Sequence, residues 1–186
     1  MKKWIDGFIG EHINIVRRLG SKKISKIITM VKKAMEQDSR IFIIGNGGDA
    51  ACSSHLAVDL GKGASEGKKK RFKVFSPVDN TPWVTAIAND FSYDEIFVRQ
   101  IENYCQPGDL IIAFSVSGNS PNVVKAVQRG KELGLRTVAI TGDRNGKIIG
   151  LSDESLIISS KHFGHVEDVQ TLVSHIIAYY FIEKCK

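Results

Sequence analysis

The hydrophobic positions of the first forty residues recur with the spacing of amphipathic helices. Apolar side chains within 4–16 predict one helix and those within 24–34 a second, with a break at Gly20 and Ser21. The pattern changes at Ile41, where short apolar runs bounded by turn residues predict β-strands. These runs are IFIIG (41–45), FKVF (72–75), LIIAFSV (110–116), TVAITG (137–142) and SLIIS (155–159).

Helical patterns separate the predicted strands. They cover about 49–61, 82–104 in two pieces, 121–133, 145–151 and 166–184. Apolar strands that alternate with helices are typical of a parallel sheet covered on both faces. We therefore predict an α/β fold: a five-stranded parallel sheet in a doubly wound three-layer sandwich, preceded by an N-terminal helical hairpin. The length of 186 residues favours one domain, with N-terminal helices in 1–37 and the α/β core in 38–186.

Two polar loops follow predicted strands, at the sheet edge where open parallel sheets bind ligands. Three hydroxyls, a glycine and a helix that begins at Pro121 make the second loop typical of a phosphate site. The alternative is that its serines serve only as a strand-end hydroxyl and a helix cap. The phosphate-binding candidates are Asn46, Gly47, Gly48, Ser115, Ser117 and Ser120.

The first loop also matches the dinucleotide fingerprint GxGxxA through Gly45, Gly47 and Ala50. The acid expected after the second strand is missing, because Ser76 and Pro77 follow FKVF. The sequence has no GxxxxGK[ST] motif. These observations disfavour NAD and ATP and favour a small phosphorylated metabolite.

Two histidines and two acids have helical spacing. His55 and Asp59 are four residues apart, so they share one helix face, and Glu167 and His175 are eight residues apart. Such a group suits a zinc-like divalent ion or an acid/base pair. Each residue also has an ordinary explanation, such as a solvated acid, a helix-terminal acid or a core histidine.

Composition narrows the function classes. No apolar run approaches the roughly 20 residues of a membrane span, and Asp6 interrupts the N-terminal apolar stretch, which disfavours a signal peptide. We therefore expect a cytoplasmic protein. The three cysteines are odd in number and lack CxxC spacing, which disfavours disulfides and thiolate zinc sites. The basic run 68–71 lacks an aromatic platform beyond Phe72, so a solvated loop is favoured over nucleic-acid binding.

Four segments, GNGGDAACSSH, AFSVSGNSPNVVKAV, ITGDRNGK and EDVQTLVSH, resemble sugar isomerase (SIS) domain proteins in order and separation. The resemblance is strongest to the phosphoheptose isomerases, which interconvert sedoheptulose 7-phosphate and D-glycero-D-manno-heptose 7-phosphate. It implies a flavodoxin-like SIS domain, an aldose–ketose isomerisation through an enediol and a divalent metal, most simply Zn²⁺. It also implies a homotetramer with sites at subunit interfaces.

The resemblance assigns roles residue by residue. It places His55, Asp59, Glu167 and His175 at the catalytic site, where they can bind the metal, and our hypothesis is that Asp59 is the base and His175 the acid. The serine loop and the Asn46–Gly48 backbone then hold the phosphate. The remaining substrate-binding candidates are Asp79, Asn89 and Asp90.

Four positions depart from the family pattern, one of them Gly63, where the family usually has an arginine and Lys62 is the nearest substitute. Asp59 is one methylene shorter than the family's glutamate, Glu167 replaces a glutamine, and Asp49 replaces a serine. We expect Asp49 to point away from the phosphate or to cap the following helix. Alternative functions are a non-catalytic sugar-phosphate sensor, a partner of a replication initiator, and an isomerase of another sugar phosphate.

Overall fold

The computed structural model describes residues 1–185 and contains one parallel sheet with strand order β2-β1-β3-β4-β5. This order reverses between β1 and β3, so the chain is doubly wound, as predicted. The reversal brings the loops that follow β1 and β3 to the same edge of the sheet. The strands are β1 (Arg40–Ile44), β2 (Lys73–Phe75), β3 (Leu110–Ser115), β4 (Arg136–Gly142) and β5 (Glu154–Ile158).

Helices cover both faces of the sheet. They are α1 (Lys2–Arg17), α2 (Ser21–Glu36), α3 (Gly48–Val58), α4 (Thr81–Asp90), α5 (Val98–Tyr104), α6 (Pro121–Glu132), α7 (Lys147–Leu151) and α8 (Phe163–Lys184). A π-helical turn, Asp59–Gly63, continues α3, and a 3₁₀ turn, Tyr93–Glu95, precedes α5. None of the helices among residues 1–185 is long and apolar enough to cross a membrane.

Alternate side chains of the strands supply two separate cores, as expected for a sheet buried on both sides. Ile41 and Ile43 belong to the core beneath α2, α3 and α8. Phe42 and Ile44 point to the opposite face and pack with residues of α5 and α6. All four are fully buried, which explains why β1 reads as a continuous apolar run.

The two N-terminal helices pack differently. α2 buries Ile24, Ile27, Val31 and Ala34 and lies against α8 and the strands β1 and β5, whereas α1 makes its main contacts with α8 alone. Among the described residues of α1, Ile15 is the only one whose side chain is buried. The predicted N-terminal helices are confirmed: both pack on α8, and α2 also covers part of the sheet.

Candidate active site

The serine loop is held in a tight conformation at the end of β3. Ser115 is buried, and its Oγ accepts a hydrogen bond from the Gly118 N–H at 3.1 Å. Gly118 has a φ of 64°, and a Cβ there would lie 2.7 Å from the Gly146 Cα. The left-handed backbone and the close approach both require glycine at this turn. Ser120 precedes α6 without making a side-chain cap, which leaves its hydroxyl free for a ligand.

An amide pair joins the serine loop region to the glycine loop. Asn46 Nδ2 donates to Asn122 Oδ1 at 2.8 Å, and Asn122 Nδ2 donates back to Asn46 Oδ1 at 2.9 Å. The Tyr93 hydroxyl donates to the same Asn46 oxygen at 3.0 Å. The Asn46 side chain thus fixes the loop that follows β1 against the start of α6.

The two loops enclose one cavity of about 240 Å³. All six phosphate-binding candidates line it, so the structure brings them together as the sequence predicted. The N-terminal ends of α3 and α6 both meet this region, and their free N–H groups favour an anion. The lining residues are Asn46, Gly47, Gly48, Asp49, Ser115, Val116, Ser117, Ser120, Phe163 and Glu167.

Glu167 lies in this cavity and not with the histidines. A Cβ on Gly48 would lie 2.5 Å from the Glu167 carboxylate, so this carboxylate occupies the space directly beside the Gly48 backbone. The predicted four-residue metal set therefore loses Glu167. Glu167 and His175 are separated by a rise of about 12 Å along α8, and the Glu167 carboxylate turns toward Gly48 and not toward the histidines.

Asp49 is buried beneath the serine loop. Its Oδ2 accepts a hydrogen bond from the Val116 N–H at 3.1 Å, and it makes no side-chain cap of α3. It does not cap α3 and does not point away from the serine loop, so neither expectation is met: its carboxylate holds the backbone of that loop directly after β3. Burial raises the pKa of Asp49 to about 7; the Val116 N–H opposes this shift, and the negative charge of Glu167 adds to it.

His55, Asp59 and His175 form a triad at the other end of α3. The two histidine Nε2 atoms are 3.2 Å apart, and Asp59 Oδ2 lies 3.4 Å from His55 Nε2 and 4.0 Å from His175 Nε2. Asp59 begins the π-helical turn, a distortion that is frequent at functional sites. Its Oδ2 is buried and has no hydrogen-bond partner among the described residues.

The triad fits a zinc-class ion. Zinc–ligand distances of about 2.0–2.1 Å place the ligand atoms of a tetrahedral site about 3.3 Å apart. The spacings of 3.2, 3.4 and 4.0 Å approach that value. The unpaired Asp59 Oδ2 and the two histidine Nε2 atoms can supply three ligands of such a site. Three protein ligands leave a fourth position for substrate, as in catalytic zinc sites.

The other substrate-binding candidates lie outside the loop cavity. Asp79 accepts a hydrogen bond from the Ser54 hydroxyl and lines a larger depression of about 540 Å³ beside Trp83. Asn89 and Asp90 are exposed at the end of α4, where the Asn89 amide donates to the Asp90 carboxylate at 2.9 Å. Within one copy of the described chain, the structure does not bring Asn89 and Asp90 to the phosphate cavity.

The phosphate cavity and the triad are connected by α3. Gly48 at its N-terminus and His55 are seven residues apart, which corresponds to about 10 Å along the helix. A ligand with an anionic group at one end could therefore place its other end near the triad.

Comparison with known proteins identifies the family. The family model of the SIS domain matches residues 8–142. A protein from Thermoplasma volcanium named "Probable phosphoheptose isomerase" is 36% identical over 87% of this chain and 82% of its own. The chain belongs to the SIS-domain phosphoheptose isomerase family. Another member, the phosphoheptose isomerase of Helicobacter pylori strain P12, is 35% identical over 83% of this chain and 80% of its own.

Solved phosphoheptose isomerases share the fold. The structure of phosphoheptose isomerase GmhA from Neisseria gonorrhoeae superposes with a TM-score of 0.89, covers 97% of both chains and is 23% identical. A phosphoheptose isomerase from Francisella tularensis gives a TM-score of 0.88 at 18% identity, over 98% of this chain and 96% of that one. This agreement extends over the N-terminal helices as well as the α/β core.

The sequence did not predict the residues that hold Asn46 in this member of the phosphoheptose isomerase family. Asn122 and Tyr93 hold Asn46 in place by hydrogen bonds. Along the chain, Asn122 is 76 residues and Tyr93 is 47 residues away from Asn46. No periodicity or spacing rule pairs residues at such separations. The position of Asn122, one residue after Pro121 and therefore in the first turn of α6, is the one local signal that it faces the loop cavity.

Proposed function

We propose that this chain is an aldose–ketose isomerase that converts sedoheptulose 7-phosphate to D-glycero-D-manno-heptose 7-phosphate through an enediol. The observation that carries the proposal is the placement of an anion cavity and a His/Asp triad at opposite ends of α3. The separation suits a sugar of several carbons bound by its terminal phosphate. The relatives' names, which describe phosphoheptose isomerases, support a heptose phosphate as the substrate class.

Each end of the site has a separate task. The serine hydroxyls and the loop backbone hold the phosphate and thereby fix the position of C1 and C2. Asp59 is the base that moves the proton between these carbons, and His175 is the acid at the neighbouring oxygen. Because Oδ2 of Asp59 faces the two imidazoles, we assign the proton transfer to Oδ1.

A divalent ion of the zinc class would be held by His55, Asp59 and His175, and with the ion bound His175 would be a ligand and the ion would take over its task at the sugar oxygen. When bound, it would polarise the carbonyl and hydroxyl oxygens of the sugar and stabilise negative charge on them. Glu167 takes no part in this ligand set, because its carboxylate lies against Gly48.

The test of the function is incubation of the metal-reconstituted protein with sedoheptulose 7-phosphate in D₂O, followed by NMR. We expect aldoheptose with deuterium at C2, because an enediol exchanges its proton with the base and the base with solvent. Binding of the sugar phosphate without product or deuterium uptake would contradict the isomerase and favour the sensor function. Turnover of a different sugar phosphate alone would change the substrate assignment.

We also propose a homotetramer with sites at subunit interfaces. Trp4, Ile5, Ile9 and Ile13 of α1 are exposed, with Trp4 exposed to 70%. A shallow depression of about 520 Å³ between α2 and α8 has a mixed lining, in which Ile24, Ile28, Ile176 and Tyr180 lie beside serine, threonine and lysine side chains of α2. Monomer mass in native mass spectrometry at micromolar concentration would contradict the assembly.

Glu167→Gln should tighten sugar-phosphate binding about tenfold. The carboxylate lines the cavity that receives a phosphate dianion, and two charges about 5 Å apart repel by roughly 1–3 kcal/mol at dielectric constants between water and 20. Glutamine keeps the size and removes the charge. Calorimetric titration with sedoheptulose 7-phosphate measures the change, with Glu183→Gln, an exposed substitution near the C-terminal end of α8, as the matched control. Weaker binding in Glu167→Gln would mean that the carboxylate assists the ligand.

A further inference from the structure

A second group of ligand-type side chains lies between α1 and α8. His12 belongs to α1, and His165 and Asp168 belong to the first two turns of α8. One ligand atom from each lies within 4.8 Å of the other two. His165 and His175 are ten residues apart, which is about 15 Å along the helix, so this group is separate from the active-site triad.

Both imidazoles of this group have a buried nitrogen without a partner. The Nδ1 atoms of His12 and His165 are inaccessible to solvent and make no hydrogen bond within residues 1–185. His165 as a whole is 1% exposed. A buried polar atom without a hydrogen-bond partner costs about 1–3 kcal/mol of folding free energy. Two such atoms beside a carboxylate therefore indicate that a bound group pairs with them.

The surroundings of His165 favour metal coordination through Nδ1. Its other nitrogen, Nε2, lies 3.5 Å from the Glu11 carboxylate. A carboxylate near the second nitrogen is typical of metal-bound histidines, and it favours the tautomer that leaves the Nδ1 lone pair for the ion. The Phe8 ring stacks on His165 with centroids 4.0 Å apart and holds the imidazole in place.

We propose that His12, His165 and Asp168 bind a divalent transition metal ion of the zinc class that fastens α1 to α8. Two imidazole nitrogens and one carboxylate oxygen suit Zn²⁺ and Co²⁺ better than Mg²⁺ or Ca²⁺, which prefer oxygen ligands alone. The ion would stabilise a helix that otherwise contributes a single buried residue, Ile15, to the core. The role is structural, because the group lies about three turns of α8 away from His175.

Two of the three ligands of this group have a recognisable spacing in the sequence. His165 and Asp168 are three residues apart on one face of α8. His12 lies on α1, more than 150 positions away along the chain, and only the docking of α1 onto α8 brings it close. The fold was therefore needed to see the third ligand.

The test is Co²⁺ titration of the tag-free full-length chain that carries His55→Ala and His175→Ala. These changes disable the active-site triad, so the outcome does not depend on isomerase activity or on the proposed function. We expect this background chain to bind one Co²⁺ with visible ligand-field absorption. Adding Asp168→Asn, a change of an exposed residue, should weaken binding at least about tenfold.

A control and a second readout complete the experiment. His162→Asn alters a neighbouring imidazole, keeps an N-cap acceptor for α8 and should leave the affinity for Co²⁺ unchanged. Zn²⁺ should slow amide hydrogen exchange in α1 of the background chain and have no such effect after Asp168→Asn. Absence of Co²⁺ binding in the background chain, or binding that Asp168→Asn leaves unaltered, would overturn the proposal.

Discussion

We expect Asp59→Asn to lower kcat for sedoheptulose 7-phosphate about 10³-fold while KM stays nearly constant. General base catalysis contributes about 10²–10⁴-fold, and asparagine has nearly the size of aspartate but cannot accept the proton. The phosphate cavity lies about 10 Å away along α3, so ligand binding should survive. Steady-state kinetics and deuterium uptake at C2 measure the loss.

Two controls separate the base from other roles. Ser117→Ala changes a residue lining the phosphate cavity, so it should raise KM and leave kcat nearly unchanged. Glu66→Gln removes an exposed carboxylate seven residues after Asp59 and should alter neither constant. If Asp59→Asn kept deuterium exchange at the wild-type rate, Asp59 could not be the base. Metal analysis of the variant reports whether the ion is lost with the carboxylate.

The sequence predicted the fold well because local patterns carried it. Each of the five apolar runs forms a strand whose ends lie within about one residue of the prediction, and the sheet is parallel as the alternation of strands and helices required. The glycine and serine loops also meet, because they follow β1 and β3, where the strand order reverses. His55 and Asp59 share a face through their i, i+4 spacing.

The remaining features depend on tertiary contacts. Spacing of eight on α8 suggested a shared face for Glu167 and His175, but the contact between Glu167 and Gly48 exists only because α3 and α8 cross there. The buried environment of Asp49 also depends on tertiary contacts, because this residue of α3 lies against the loop after β3 and against α8. No local pattern distinguishes an aspartate in the first turn of a helix that faces solvent from one that faces the core.

Asp49→Asn should stabilise the protein at high pH and have little effect at low pH. The pKa of Asp49 rises from an unperturbed 3.8 to about 7, so between these values the folded state binds the extra proton. Wild-type stability therefore falls as pH rises from about 4 to about 7, and the loss above pH 7 is at most about 4 kcal/mol. Asparagine does not ionise, so the variant should lack this decline. Urea unfolding at pH 5 and pH 8.5 measures the difference.

The structure explains why a neutral side chain suits this position. Asp49 Oδ1 and Gln170 Oε1 are both buried without a hydrogen-bond partner in the described part of the chain. The Gln170 side chain is within hydrogen-bonding reach of Asp49, so a carboxyl proton or the amide N–H of asparagine can be donated to it while the other oxygen still accepts from Val116. Asp6→Asn, an exposed change on α1, should leave the pH dependence unaltered. Equal stabilisation by Asp49→Asn at both pH values would show that Asp49 is not the group whose ionisation opposes folding.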